Sequence, residues 1–489
     1  YEIMPSLVGS EMCIRDSLFT MGRVVLLEAA LLVLPMAVSL LYGEKCALSF
    51  ALTILVALAV GFLLTKLCRG EHGSSSIKDG FMIVALTWIM LSAIGALPFV
   101  FSREIPLYVD AFFETVSGFT TTGATILPDV EALSRGMLFW RSFTHWIGGM
   151  GILVFVVMLL KTPDRSINIL KAEMPGPTMD KLAPKSKDTA RILYLLYMAL
   201  TVLEIVFLLL GGMSLFDSMV HALSTAGTGG FGFRNDSFGS FSPYIQWVVT
   251  IFMILFGVNF NAYFLLLLRK FNRVISEEVR GYFVVILAAV GLITANIYSI
   301  YNNFGEALRQ AAFQVGSIIT TTGFSSCDFD LWPTLSKEIL VVLMFIGACA
   351  GSTGGGIKVS RLLILGKTLG KELKQALHPQ VVAPVRMDGK LVNHETIRTT
   401  NVFMAAYSFI FVGSFLLISL NGFDMVTNFT AVAATMNNIG PGLELVGPMQ
   451  NFGGFADPAK LVLIFDMLAG RLEIFPMLVL FLPDTWRKF

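Results

Sequence analysis

The sequence predicts an all-α polytopic membrane protein in which two leading helices precede four repeats of helix, short broken helix, loop and helix. Three observations carry that prediction: an apolar composition, ten apolar runs long enough to cross a bilayer, and a fourfold recurrence of shorter runs that break at Thr, Gly or Asn. Of 489 residues, 55% are hydrophobic and 14% charged, against roughly 25% charged residues in ordinary soluble domains. A soluble enzyme is excluded, because so little polar surface cannot cover a solvated globule. Lys and Arg number 35 against 34 Asp and Glu, so the net charge of +1 gives no global pull toward nucleic acid. The five cysteines, Cys13, Cys46, Cys68, Cys327 and Cys349, are scattered without metal-ligand spacing and imply neither a disulfide framework nor a zinc site.

Residues 1–17 share no character with the rest of the chain and resemble a translated sequencing-adaptor read. They are set aside as a non-native leader, a genuine short polar leader being the alternative. The run from Val24 to Leu41 continues into Tyr42, Gly43 and Glu44 rather than a small-residue cleavage site, so it reads as an anchor. A helix needs about 20 apolar residues to cross the hydrocarbon. Runs at 24–41 and 46–67 fill the leading segment, 18–70. Runs at 80–101 and 137–160 bound repeat 1 (78–165), and those at 192–211 and 245–268 bound repeat 2 (188–272). Repeat 3 (278–370) holds 281–301 and 338–366; a cytoplasmic loop or hairpin follows at 371–397, around Asp388-Gly389. Repeat 4 (398–489) holds 401–420 and 459–482.

Orientation follows from the basic connections. Lys66, Arg69 and Lys78; Lys161 through Arg191; Arg269, Lys270, Arg273 and Arg280; and Lys367 through Arg398 all lie between spans on one side, which is therefore cytoplasmic. An even span count puts both termini inside, in agreement with the Arg487-Lys488 tail.

Each repeat carries one run too short to span: Ala111 to Phe119, Phe216 to Ala226, Ala307 to Ile319 and Val426 to Met436. These read as re-entrant. Ser117 to Ala124 aligns without gaps on Ser317 to Phe324; Ser224 to Phe231 and Ala434 to Pro441 are the second and fourth copies. Glycines recur at 123, 230, 323 and 440. Non-helical backbone at membrane depth is tolerated only where it is buried in protein or lines water. Four such loops therefore converge on one central pore, where exposed carbonyls can replace a monovalent cation's hydration shell. Glycine permits the positive φ that turns successive carbonyls one way, and each short helix aims its negative end at the axis. Tight helix packing by small residues is the competing explanation for any single copy, and fourfold recurrence disfavours it.

The run from Val341 to Leu365 is interrupted by Ala350-Gly-Ser-Thr-Gly-Gly-Gly356, and each interior Gly costs a helix about 1 kcal/mol relative to Ala. Unwinding is expected, with a Gly-rich packing kink as the alternative. A phosphate loop fails, since Ile357 separates Gly356 from Lys358. Arg471 lies centrally in the last apolar run, where a cation is a functional candidate: it either faces the pore as an electrostatic barrier or pairs with Glu473 or Glu114. Lys358 either joins the gate or snorkels to the cytoplasmic interface. His145 and His221, with no second ligand at i+3 or i+4, read as packing groups.

The motifs Asp110-Ala-Phe-Phe-Glu114, Thr120-Thr-Thr-Gly-Ala-Thr125, His145-Trp-Ile-Gly-Gly-Met-Gly151, Ala172-Glu-Met-Pro-Gly-Pro177, Gly351-Ser-Thr-Gly-Gly-Gly-Ile-Lys358 and Gly470-Arg-Leu-Glu-Ile-Phe475 resemble those of the TrkH family of bacterial potassium uptake subunits, within the Trk/Ktr/HKT superfamily. The resemblance runs from about residue 22 to the end. It implies that filter oxygens come from Thr121, Thr122, Thr228, Gly229, Thr321, Thr322, Asn438 and Ile439, with Gly123, Gly230, Gly323 and Gly440 as filter glycines. The second loop departs from the pattern with Gly227 in place of Thr, and the fourth reads Asn437-Asn438-Ile439-Gly440. The resemblance further implies that Gly351, Ser352, Thr353, Gly354, Gly355 and Gly356, with Lys358 and Arg471, form an intramembrane gate. The resemblance implies potassium as the transported ion, with a Na⁺-coupled or Na⁺-permeable symporter as the alternative; no covalent cofactor is expected. The implied setting is the bacterial inner membrane, as a homodimer docked on a cytosolic TrkA-type ring that binds NAD or ATP. This chain has no GxGxxG in a βαβ unit, so nucleotide would be held only by that partner.

Overall fold

The computed structural model describes residues 4–67, 77–151 and 186–486. The motif at 172–177, the basic residues from Lys161 to Lys185 and the Arg487-Lys488 tail lie outside them. The chain is a multi-pass membrane protein built almost wholly of helix. Among the described residues the only strands form an antiparallel ribbon that pairs Arg386 with Leu391 and Met387 with Lys390. Its turn residues Asp388 and Gly389 both have positive φ, 49° and 76°, the conformation a two-residue hairpin requires.

The leading pair, Leu18–Leu41 and Ala47–Lys66, crosses closely because its contact is made by glycines. A Cβ on Gly22 would lie 3.0 Å from the Gly61 carbonyl, and one on Gly61 would lie 3.0 Å from the Gly22 carbonyl. Further unbroken spans are Asp79–Ser102, Arg191–Leu210, Glu277–Tyr301 and His394–Asn421. Leu41, Leu195, Leu287 and Phe409 are exposed on their outer faces, as a lipid-facing surface demands.

The runs expected to span at 245–268, 338–366 and 459–482 are not single helices. The first bends by 89° between Pro243–Phe256 and Phe260–Leu267. The second ends at Ile346 and resumes at Val359, and the third ends at Arg471 and resumes at Phe475. In repeat 1 the matching helix, Arg135–Gly149, stops at the edge of the described segment. The second break is the unwinding expected at Ala350–Gly356, whereas hydropathy, averaged over the run, did not reveal the other two. The short helices approach these helices closely: a Cβ on Gly148 would strike the Phe119 carbonyl, and one on Gly470 the Met436 carbonyl.

The four short runs are helices Tyr108–Phe119, Leu215–Gly227, Phe304–Ile319 and Met425–Met436. Side chains of Ser214, Asn303 and Asp424 cap three of them, accepting from Asp217, Gly305 and Thr427 backbone N–H groups. Their C-terminal halves are buried at the centre of the molecule.

Candidate functional site: a ring of four glycine loops

All four short helices end in the same way. The residue two before each glycine is left-handed: Thr121 (φ 56°), Thr228 (54°), Thr321 (58°) and Asn438 (54°). Its N–H donates to the carbonyl three residues back, and the next N–H to the carbonyl five back: Thr121 to Gly118 and Thr122 to Ser117, Thr228 to Thr225 and Gly229 to Ser224. Repeats 3 and 4 match, with Thr321 to Ile318 and Thr322 to Ser317, then Asn438 to Thr435 and Ile439 to Ala434. Glycine normally occupies that position of such a helix cap. A β-branched threonine in the left-handed region costs on the order of 1–3 kcal/mol, which the surrounding packing must hold.

The recurring glycines follow at φ 78°, 84°, 82° and 100° for Gly123, Gly230, Gly323 and Gly440. Each also abuts the next loop. A Cβ on Gly123 would collide with the Gly229 carbonyl, one on Gly230 with that of Thr322, and one on Gly323 with that of Ile439; from Gly440 the Thr122 carbonyl is 2.8 Å away. The contacts close a circle in the order of the repeats. Thr122, Gly229, Thr322 and Ile439 thereby place a carbonyl oxygen at each of the four junctions. Among the described residues, no donor reaches the carbonyls of Thr121, Thr122, Thr228, Gly229, Thr321, Thr322, Asn438 or Ile439, although all eight residues are buried. Buried acceptors without donors are costly in a protein interior, so this ring suits a cation or water. A cavity opens against all four glycines and is also lined by Thr125, Phe231, Ser325 and Pro441.

The departures from Thr-Thr-Gly have physical causes. In repeats 1 and 3 hydroxyls pair across the loop, Thr120 with Thr122 at 2.8 Å and Thr320 with Thr322 at 2.7 Å. In repeat 2 those two positions are Gly227 and Gly229, where a Cβ would strike the backbone carbonyl and the imidazole ring of His145, respectively. In repeat 4 asparagine suits the left-handed region, and Asn438 Nδ2 donates to Thr122 Oγ1 and to the Met467 carbonyl, both at 2.9 Å.

The Gly-rich stretch packs against this ring. The Gly355 N–H donates to Thr321 Oγ1 at 2.6 Å, and a Cβ on Gly354 would lie 2.9 Å from the Thr320 carbonyl. The loop is tied at its margins: Ala350 N–H to Glu278 Oε1 at 2.7 Å, Cys349 N–H to the Gly257 carbonyl at 3.1 Å, and Phe260 N–H to the Gly351 carbonyl at 3.0 Å. Lys358 is buried and its ammonium donates to the Gly354 carbonyl, so it does not snorkel.

Arg471 does not lie within a continuous helix but closes Asp457–Arg471. Its guanidinium donates to carbonyls of Thr353 (2.9 Å), Gly148 (2.5 Å) and Gly149 (2.9 Å), joining the Gly-rich loop to repeat 1. The carboxylates considered as its partners are engaged elsewhere: Glu473 pairs with Arg361, and Glu114 with Arg141 at 2.7 Å. Arg141 was missed by sequence reading, as were Glu278 and Arg361; a polar residue inside an apolar run was the available signal for Arg141. His221 is buried among Phe233, Phe238, Phe241 and Phe324, a packing position. Among the described residues no group of three or more His, Cys, Asp or Glu could hold a metal.

A family model described as TrkH, cation transport protein, matches residues 47–488. The chain belongs to the TrkH family of cation transport proteins. That family consists of transporters rather than enzymes. The Trk system potassium uptake protein TrkH of Salmonella typhimurium is 40% identical over 475 residues, covering 96% of this chain and 98% of that one. The TrkH of Escherichia coli K12 is 38% identical over the same length, with the same coverage. The crystal structure of the potassium transporter TrkH from Vibrio parahaemolyticus matches with a TM-score of 0.87 at 34% identity, covering 97% of this chain and all of that one. The TrkH-family fold thus extends over nearly the whole chain, both leading helices included.

Proposed function

We propose that this chain takes up potassium through the axis enclosed by its four glycine loops. The observation that carries the reading is the closed circle of glycine–carbonyl contacts, which brings four sets of donor-free carbonyls to one place. Such carbonyls substitute for the hydration shell of a monovalent cation, and the negative ends of four converging helices favour it further. The filter residues are Thr121, Thr122, Gly123, Thr228, Gly229, Gly230, Thr321, Thr322, Gly323, Asn438, Ile439 and Gly440. The names of the similar proteins from Salmonella typhimurium and Escherichia coli, both potassium uptake proteins, favour potassium.

The segment from Gly351 to Gly356, with Lys358 and Arg471, is the gate. Its contact with Thr321, and the bonds that the buried Lys358 and the Arg471 guanidinium make to its Gly354 and Thr353 carbonyls, support a plug that must move before an ion passes. Regulation comes from a cytosolic nucleotide-binding subunit acting in trans, on a homodimer in the bacterial inner membrane with both termini cytoplasmic. The basic connections support that orientation.

The deciding experiment is ion flux in proteoliposomes. Rubidium and potassium pass far faster than sodium, and they pass with no sodium present. Equal permeation of sodium rejects the selectivity, and an absolute need for sodium makes the chain a symporter.

A further inference from the structure

We propose that His145 positions the second filter loop and through it sets the preference for potassium over sodium; the inference rests on the filter reading above. Loops 1 and 3 are braced internally by their threonine pairs. Loop 2 has glycine at both corresponding positions and so lacks that hydroxyl pair, its own Thr228 hydroxyl donating instead to the Gly227 carbonyl at 2.6 Å. The imidazole of His145 occupies that space from outside, since a Cβ at Gly229 would clash with the ring, with Cγ, Nδ1 and Cδ2 as its three nearest atoms.

His145 also has the polarity to do what the threonines do. Nδ1 lies 2.8 Å from the Gly118 carbonyl in the first short helix, which can only accept, so Nδ1 carries the proton. Nε2 is then an acceptor, and it receives the N–H of Phe231 at 3.3 Å, the residue directly after the filter glycine Gly230. One neutral ring thus ties the body of repeat 1 to the exit of loop 2. The Phe231 ring is held from two sides, by the imidazole at 4.3 Å between centroids and by the Arg141 guanidinium at 3.9 Å. Both come from the helix Arg135–Gly149, four residues apart on one face. His145 is fully buried and enclosed by protein, so it acts on the ion only through the loop it holds.

The packing predicts an exchange. The three atoms nearest the Gly229 Cβ position belong to the His145 ring, whereas the two nearest that of Gly227 are the His145 backbone carbonyl carbon and oxygen. Removing the imidazole therefore makes room for threonine at 229, the residue type at this position in loops 1 and 3, but not at 227.

The test is the rubidium-to-sodium flux ratio of four variants in liposomes at matched incorporation, with Gly323→Ser as reference. His145→Ala lowers the ratio about fivefold while rubidium flux changes less than about twofold. His145→Gln, which keeps a donor and an acceptor, stays within about twofold of the parent. Gly229→Thr alone loses the ratio, and His145→Ala/Gly229→Thr recovers most of it. A parental ratio in His145→Ala, or a double variant no better than His145→Ala, overturns the proposal. If His145→Ala yields no folded protein, the comparison of Gly229→Thr with the double variant decides alone, because only a positioning role predicts recovery of the ratio. A lowered ratio in Gly323→Ser with none in His145→Ala rejects His145 and leaves the filter reading standing; no change in either rejects the filter reading itself.

Discussion

The guanidinium of Arg471 donates to the Thr353 carbonyl at 2.9 Å while holding the Gly149 carbonyl at the same distance. A single side chain from repeat 4 thus pins the Gly-rich loop of repeat 3 to the helix behind filter loop 1. A charge-assisted hydrogen bond is worth on the order of 1.5–3 kcal/mol, and the positive charge also opposes a cation on the axis. Arg471→Gln weakens both effects, so rubidium flux in liposomes rises by roughly tenfold, the factor for about 1.4 kcal/mol. Arg471→Lys keeps the charge but loses the fork, and its flux lies between the two. Unchanged flux in Arg471→Gln removes this side chain from the gate.

Gly323 illustrates why the ring tolerates no side chain. Its φ is 82° and a Cβ would meet the Ile439 carbonyl, so conformation and packing both forbid substitution. Gly323→Ser displaces the neighbouring loop and lowers the potassium-to-sodium flux ratio by about tenfold. Gly366→Ser, at a helical glycine with nothing within 4 Å of its Cβ position, is the matched control and keeps the parental ratio.

The fourfold repeat, the positions of the four glycines and the unwinding at Gly351–Gly356 were all legible in the sequence, because glycine and threonine recur at fixed offsets from apolar runs. The breaks at Gly257 and Leu472 were not, since hydropathy averages over residues and stays apolar across each of them. Nor was the fit between Gly229 and His145. The two residues are 84 positions apart and the alignment of repeats registers only a missing threonine, not the ring that replaces it. Partner choice among the charges of the last run was equally hidden: the sequence places Arg471 and Glu473 two residues apart, but the chain path sends Glu473 to Arg361.

Asp424 caps the fourth short helix, accepting the Thr427 N–H at 2.9 Å and its hydroxyl at 2.5 Å. These bonds, the hydroxyl's foremost, hold its carboxyl below the usual aspartate value. A depressed native value means that the stabilisation is complete above the unfolded value, near 3.9, and is lost as pH falls through the native one. Asp424→Ala therefore lowers stability by about 1 kcal/mol at neutral pH. The gap to the parent closes once pH falls below that depressed native value, where the parental carboxylate is itself protonated. Thermal unfolding in detergent at the two pH values measures both; a gap independent of pH rejects the charged cap.

The hairpin is linked through hydrogen bonds to the Gly-rich loop. Asp388 at its tip accepts the Glu277 N–H at 2.7 Å and returns its own N–H to the Glu277 carboxylate at 3.2 Å. Lys367, on the helix that leaves the Gly-rich loop, contacts the same carboxylate and the Arg386 carbonyl. The next residue, Glu278, accepts the N–H of Ala350 within the loop itself. The turn is thus tied to a backbone position adjacent to the group that holds the gate. Asp388→Ala removes the tie, which leaves Glu278 freer to release Ala350, and flux through the isolated protein in liposomes rises by about three- to fivefold, within the roughly 0.5–2 kcal/mol by which such coupling residues act. Glu278→Gln weakens the loop contact directly and produces the larger rise. Parental flux in Asp388→Ala together with a raised flux in Glu278→Gln would separate the hairpin from gating while leaving the loop contact in place.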